Sequence, residues 1–465
     1  MNKTHAPKRC WLLLVFLTPI AANAAATVED RLARLEAAAG PATATNSGDN
    51  AWVLASAALV LMMTAPGLIL FYGGLVRRKN VLGTMMQSMI LMAVVSALWM
   101  VYGYSMAFGE GNPFFGNPTQ YFMLKGVGAA PNAAYAPTVP QESFMLFQMM
   151  FAIITPALVS GAIAERMRFK AYVLFMVLWV TLIYFPLCHM VWGKGGFFNW
   201  SLGGRVPVLD FAGGMVVHVS SGASALVCAV VLGKRIGFPS EPMPPHNVVL
   251  SLIGVGLLWV GWFGFNAGSA VNAGALASSA FAATHFSATG AALGWGITEW
   301  LLKGKPSVLG VASGMVAGLA TITPASGFVS VPAAFVIGLT GGVVCYAAVT
   351  KLKGAFRYDD SLDVFGVHGV GSALGLLMLG LFASAEINPA IGNTFAAGGK
   401  VVSLAGSFSQ LGNQALGLAF TVGLAVVGTF IILKVVGAVT GLRVTPEDEA
   451  SGLDLAEHGE RAYND

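Results

Sequence analysis

The feature that most constrains this chain is the confinement of its charge. Lys, Arg, Asp and Glu are nearly absent from a series of long apolar runs and gather in the short gaps between them. Charged residues make up 10% of the chain, whereas a soluble chain needs about 25% to cover a solvated surface. Hydrophobic types reach 56% and mean hydropathy is +0.73. The outer face must therefore meet lipid. In hydrocarbon each backbone N–H and C=O must be satisfied within the protein, so apolar runs of about 20 residues read as transmembrane helices. The fold class expected is all-α, a polytopic membrane protein. Spans are expected near 51–76, 84–108, 143–164, 171–192, 211–233, 247–268, 274–302, 307–323, 329–350, 364–385 and 412–438. The 58 glycines suit close helix packing in a bilayer.

The N-terminus reads as a signal peptide over residues 1–24. Lys3, Lys8 and Arg9 precede a short apolar core from Trp11 to Ile20, and Ala22-Asn23-Ala24 supplies a small-x-small cleavage pattern. Cleavage leaves the mature N-terminus outside the cytoplasm, so loops after odd-numbered spans should be cytoplasmic. Those loops hold Arg77, Arg78, Lys79, Arg166, Arg168, Lys170, Lys234, Arg235, Lys303, Lys305, Lys351, Lys353 and Arg357, while the opposite loops hold Lys125, Lys194, Arg205 and Lys400. The asymmetry follows the positive-inside rule. The expected layout is a periplasmic helical segment and linker over 25–50, a transmembrane domain over 51–440 and a cytoplasmic tail over 441–465. Localisation follows as a bacterial inner membrane, multi-pass, with the N-terminus outside. Within 25–50, Val28, Leu32, Leu35 and Ala39 follow coiled-coil seam spacing. This reads either as a fraying helix or as a small bundle between protomers.

Ionisable residues inside a span are costly and point to function. His218, in Asp210-Phe-Ala-Gly-Gly-Met-Val-Val-His218, lies early in the fifth span, and His368, in Asp363-Val-Phe-Gly-Val-His368-Gly, lies early in the tenth. Spans five apart run in opposite directions, as an inverted repeat of five plus five spans requires, with the site at the repeat interface. Paired imidazoles offer donors and acceptors and exchange protons near neutral pH without presenting a permanent charge. Asp210 and Asp363, each ahead of a span, suit helix N-caps. His285 inside the seventh span reads as a helix–helix hydrogen bond, His189 as interfacial, Glu299 as a pairing or capping residue, and Glu165 with Arg166 and Arg168 as an ion-paired cytoplasmic end. Cys10, Cys188, Cys228 and Cys345 match no metal-ligand spacing and read as small core residues. No nucleophile–base pair, phosphate loop or metal cluster is visible. Neither an enzyme nor a cofactor is expected, and the spread of the basic residues argues against nucleic acid.

Several stretches together resemble the ammonium transporters of the Amt/Mep/Rh group, its bacterial Amt branch most closely. They are Pro66-Gly67-Leu68-Ile69-Leu70-Phe71-Tyr72-Gly73-Gly74-Leu75, Gly161-Ala-Ile-Ala-Glu165-Arg166, His189-Met-Val-Trp192-Gly, the two histidine motifs above, Gly261-Trp-Phe-Gly-Phe265-Asn-Ala-Gly-Ser269 and Gly441-Leu-Arg-Val. The likeness runs from about Asn50 to the C-terminus. It implies a homotrimer in membrane lipid with one pore per subunit. It also implies an outer site in which Phe151, Trp192 and Ser269 bind ammonium and Asp210 supports them. Phe151 and Phe265 would form a gate, and His218 and His368 would line the pore and relay a proton. The resemblance places Gln148 and Thr323 near the vestibule or pore. It also implies that a PII-type signal protein docks at the cytoplasmic tail, with Gly441-Leu-Arg-Val and Gly452-Leu-Asp454. Two other readings stand beside it: a passive Rh-type gas channel, which would gain little from a cation site, and an ammonium sensor, which would have to signal through a docked partner.

Overall fold

In hydrocarbon a helix must be closed at its ends as well as along its length, and short polar side chains do this where the chain enters the membrane. In the computed structural model, which describes residues 45–395 and 401–463, Asn46 accepts the N–H groups of Gly48 and Asp49 to open the first helix. Asn247, Ser307, Ser330 and Ser407 cap later helices in the same way. The expected signal peptide and the Val28 to Ala39 segment lie outside the described residues.

The membrane helices are α1 (Ser47–Leu75), α2 (Arg78–Phe108), α3 (Gln141–Ile163), α4 (Phe169–Trp192), α5 (Gly214–Leu232), α6 (Val248–Gly268), α7 (Ala275–Lys303), α8 (Val308–Ile322), α9 (Val331–Phe356), α10 (Phe365–Phe382) and α11 (Phe408–Thr440). They fall on the eleven apolar runs, with ends shifted by a few residues. Nine are by themselves long and apolar enough to cross a membrane among the described residues. The other two are α7, diluted by Ala, Ser, Thr and Gly, and α8, which has 15 residues. Two short helices of the tail, α12 (Pro446–Ser451) and α13 (Leu453–His458), complete the chain. Two-stranded ribbons lie in the loops: β1 (Pro131–Asn132) pairs with β2 (Ala136–Pro140), and β3 (Thr394–Phe395) with β4 (Val401–Val402).

Burial separates the helices into layers. In α3, 83% of the apolar stretch is enclosed, against 33% in α11, so α3 runs through the core and α11 lies at the periphery. The exposed face of α11 carries Leu416, Phe420, Val427, Ile431 and Val435, which suits lipid. Small residues bring other helices together. Gly290 and Gly294 of α7 lie against the backbone of Phe335 and Leu339 in α9, and Gly338 and Gly342 return the contact on Ser287 and Ala291. A Cβ at any of the four would strike a carbonyl or backbone atom, so the spacing is a small-xxx-small helix contact. Cys188, Cys228 and Cys345 are buried as free thiols.

Several helices contain a wide π turn. Those of α5 (Gly214–Val219) and α10 (Phe365–Gly369) stand at the N-terminal ends of their helices and carry His218 and His368. Such turns free backbone groups and re-aim side chains, and they concentrate at functional sites.

Candidate functional site

The site begins where Asp210 closes the first turn of α5. Its Oδ1 accepts the N–H groups of Gly213 and Gly214, and its Oδ2 accepts those of Met215 and Val216. Gly213 takes a φ of 110°, a backbone that other residues rarely adopt, so the chain can wrap around the carboxylate. The Asp210 carbonyl oxygen accepts the indole N–H of Trp192 at 3.0 Å. One residue thus fixes both the start of α5 and the orientation of Trp192.

The mirror position at the other end is Asp360, not Asp363. Asp360 stands eight residues before His368, as Asp210 stands eight before His218. Its Oδ2 accepts the N–H of Phe365 at 2.7 Å. Asp363 instead takes a φ of 62° and binds Lys353 Nζ at 2.6 Å. The expectation of an N-cap at Asp363 is therefore corrected: Lys353 turns that carboxylate away, and the motif's true cap lies three residues earlier. In both caps burial pushes the carboxyl up, to about 6, against the opposing pull of the backbone N–H groups, joined at Asp360 by Lys353.

Between the two caps, α5 and α10 cross with backbones in contact. A Cβ on Gly222 would strike the Cα and N of Gly369. This close approach sets the His218 ring on the His368 ring, with centroids 5.1 Å apart, planes 16° apart and the Nδ1 atoms at 3.2 Å. His218 also stacks on Trp262 at 5.3 Å, and Trp262 donates its indole N–H to Thr323 Oγ1 at 2.9 Å. His218 Nε2 is buried without a partner.

Above this pair, Phe265 lies 5.9 Å from His218 and 4.2 Å from Phe151. Trp192 meets the edge of Phe151 at 6.1 Å and 90°. A cavity of about 540 Å³ opens on the far side of these rings, lined by Phe151, Trp192, Ser269, Gln148, Asp49 and Asp210 among others. Ser269 Oγ donates to the Phe265 carbonyl at 2.8 Å, which leaves its lone pairs as acceptors. Gln148 Oε1 is buried with no partner. The arrangement offers a desolvated cation two aromatic rings and two oxygens. Below the pair, a cavity of about 370 Å³ lined by Phe71, Tyr72, Lys353, Asp363 and His368 opens towards the tail side.

That side is tied by buried charges. Glu165 takes a φ of 72° and pairs with Arg77 at 2.6 Å and Arg235 at 3.3 Å, not with Arg166 or Arg168 as expected. Arg166 is fully buried and donates to the carbonyls of Ala162, Ala164, Gly233 and Asp359 and to Ser361. Arg235 also pairs with Asp359 at 2.8 Å. Burial pushes both carboxyls up, but Arg235, helped at Glu165 by Arg77 and at Asp359 by Arg166, holds them below the ordinary carboxylate value. The tail docks here: Asp454 accepts the N–H of Gly83 at 2.8 Å, Leu453 donates its N–H to Asn80, and Glu449 accepts that of Ile236.

The remaining residues singled out by sequence find other places. His189 is buried, with Nδ1 3.1 Å from the carbonyl of Ala107 and Nε2 2.9 Å from that of Asn112. Glu299 pairs with Lys303 and accepts the N–H of Ser307. His285 does not make the expected helix–helix hydrogen bond: among the described residues its ring contacts are Trp259, Phe263 and Phe286, on an exposed face of α7. No group of three or more His, Cys, Asp or Glu among the described residues could hold a metal ion.

Residues 51–463 match the model of the Ammonium Transporter Family. This chain belongs to that family. It is 46% identical over 418 residues to the ammonium transporter of Bacillus subtilis, covering 90% of this chain and 99% of the relative. With the ammonium transporter of Aquifex aeolicus it shares 43% over 421 residues, covering 90% and 94%. Among solved structures it resembles Saccharomyces cerevisiae Mep2, with 34% identity and a TM-score of 0.77 over 86% of this chain and 91% of that one. A structure titled Sensor Amt Protein aligns at 28% identity and a TM-score of 0.79, over 88% and 98%. Asp49, Asp360 and the Gly222–Gly369 contact drew no attention in the sequence. Of these only Asp360 had a readable signal, the shared offset of eight residues.

Proposed function

We propose that this chain transports ammonium across a bacterial inner membrane, binding ammonium outside and conducting ammonia inward. The observation that carries this reading is the unbroken column of side chains from Trp192 and Phe151 through Phe265 to His218 and His368. Ammonium enters the cavity and is held by the faces of Phe151 and Trp192, a cation–π contribution of about 2 kcal/mol once desolvated. Ser269 Oγ and Gln148 Oε1 accept its N–H groups. Asp210 orients Trp192.

Passage as a bare ion is excluded by energy. Moving a small ion into a low-dielectric pore costs on the order of 20 kcal/mol in the idealised limit, and two imidazoles cannot offset it. Ammonia avoids most of that cost. The proton leaves before the Phe151–Phe265 gate, ammonia passes between the rings, and His218 Nε2 offers it a hydrogen-bond partner. The Nδ1-to-Nδ1 bond of the histidines provides a route by which the proton is relayed inward. A passive gas channel would have no use for the aromatic site or for a buried, unpaired acceptor such as Gln148 Oε1.

The positive-inside rule sets the vestibule outside and the tail in the cytoplasm. The chain acts as a homotrimer with one pore per subunit. The docked tail, joined to the start of α2 and to the loops after α3 and α5, offers a cytoplasmic surface for a PII-type signal protein. Methylammonium uptake tests the reading in cells lacking their own ammonium transporters. Wild type should accumulate the label, and His218→Ala should not. A wild type that inserts into the membrane but takes up no label would overturn the proposal.

A further inference from the structure

Two carboxylates line this cavity among the described residues, and Asp210 is the enclosed one. It is 1% exposed and both its oxygens are taken up by four backbone N–H groups, so neither has a lone pair to spare for a cation. The other carboxylate on the cavity wall is Asp49, in the first turn of α1. It is half-buried. Its Oδ1 accepts the N–H of Ala273 at 2.8 Å, and its Oδ2 accepts the hydroxyl of Thr138 at 2.6 Å. One neutral donor per oxygen leaves the net charge in place and a lone pair on each oxygen free. Thr138 lines the cavity, and Ala273 follows the lining residues Ser269 to Asn272 along the chain. Among the described residues, no Lys or Arg lines this cavity. The exposed Lys194 is already paired with Glu110 at 2.9 Å.

We infer that Asp49 is the cation-recruiting residue of the transporter, a fixed negative charge at the vestibule rim that raises the local ammonium concentration ahead of the aromatic site. The inference rests on the ammonium reading above. A charge of one sign on a low-dielectric wall focuses the field into the cavity and attracts small cations, and salt screens it. Asp49 acts on encounter and occupancy. It takes no part in deprotonation or in passage through the histidines.

Asp49→Asn isolates the charge. The amide oxygen still accepts from Ala273, and the amide nitrogen can donate to Thr138, whose hydroxyl rotates to accept. Purified protein in proteoliposomes is assayed by ammonium-evoked current on a supported membrane, at low ionic strength and again at several hundred millimolar salt of a bulky cation. At low ionic strength the half-saturating ammonium concentration of Asp49→Asn should exceed that of wild type by about two- to fivefold, as expected for one charge removed at vestibule range. Its maximal current should stay close to wild type. The difference should vanish at high salt. Equal half-saturation at every ionic strength overturns the inference, and so does a shift that persists unchanged in high salt, which would assign Asp49 to loop positioning alone. Asp49→Ala, which loses both hydrogen bonds, gives the size of that positioning effect. A wild type with neither ammonium-evoked current nor methylammonium uptake would refute the transport reading itself, whereas an active wild type matched by Asp49→Asn refutes only this inference.

Discussion

The Nδ1 atoms of His218 and His368 face each other at 3.2 Å. At that distance one nitrogen donates and the other accepts, so two neutral rings share a single proton between them and must hold opposite tautomers. The rings act as one hydrogen-bonded unit. Trp262 stacks on one side of it, and Leu158, Leu258 and Phe71 line the small cavity of about 10 Å³ beside it.

Breaking that unit should stop charge transfer. His218→Ala is expected to reduce ammonium-evoked current at least tenfold while the protein still reaches the membrane. Current recorded from proteoliposomes checks this, and an undiminished signal would separate the histidines from conduction.

The aromatic site should show itself in affinity. Trp192→Leu keeps an apolar side chain but removes the ring face that meets the cation. A loss of about 2 kcal/mol corresponds to a roughly 30-fold rise in half-saturating concentration. Methylammonium uptake as a function of concentration measures it, and an unchanged half-saturation would remove Trp192 from the site.

Helix contact at the crossing should be intolerant of a single methyl group. Gly222→Ala presses a Cβ onto the backbone of Gly369 and is expected to cost about 1–3 kcal/mol by overpacking, with loss of transport as the histidines part. Gly256→Ala, where the added atom meets open space, is the control. Thermal unfolding in detergent compares the two, and equal behaviour would contradict the packing argument.

Acid sensitivity should trace to the tail-side ion network. Glu165 and Asp359 are held below the ordinary carboxylate value chiefly by Arg235. A lowered folded value stabilises the fold above the unfolded value near 4, and that stability is lost as pH falls through the folded value. Arg235→Gln leaves the buried Asp359 without its ion-pair partner, while Glu165 keeps Arg77, so it should destabilise by roughly 3–5 kcal/mol at neutral pH. The gap to wild type should shrink as pH falls below the ordinary carboxylate value and close only once pH has passed the lowered folded values. Thermal unfolding across pH tests both halves, and a gap constant with pH would show that Arg235 acts through packing alone.

Much of this was readable before any coordinates. Eleven apolar runs, the loop charges and the two histidine motifs were each carried by residue type and local spacing, which lipid makes unusually legible. The misread details share one cause. Asp360 and Asp363 both precede α10, and only the position of Lys353 decides which of them caps the helix. Glu165 was matched with its neighbours Arg166 and Arg168, but its partners, Arg77 and Arg235, come from other loops. His285 was given a polar partner that its surroundings, Trp259 and Phe263, do not provide.

By itself, then, the sequence determined that this chain is a polytopic helical membrane protein and that two imidazoles lie within its apolar runs, because hydrocarbon penalises every unpaired polar group and sorts residues by type alone. Only the tertiary structure decided that those imidazoles touch, that Asp210 is spent on a helix end, and that Asp49 stands on the cavity wall. Those facts depend on contacts between residues far apart in the chain, such as Gly222 with Gly369 and Asp49 with Ala273, and no local pattern records which distant donor will reach a given carboxylate.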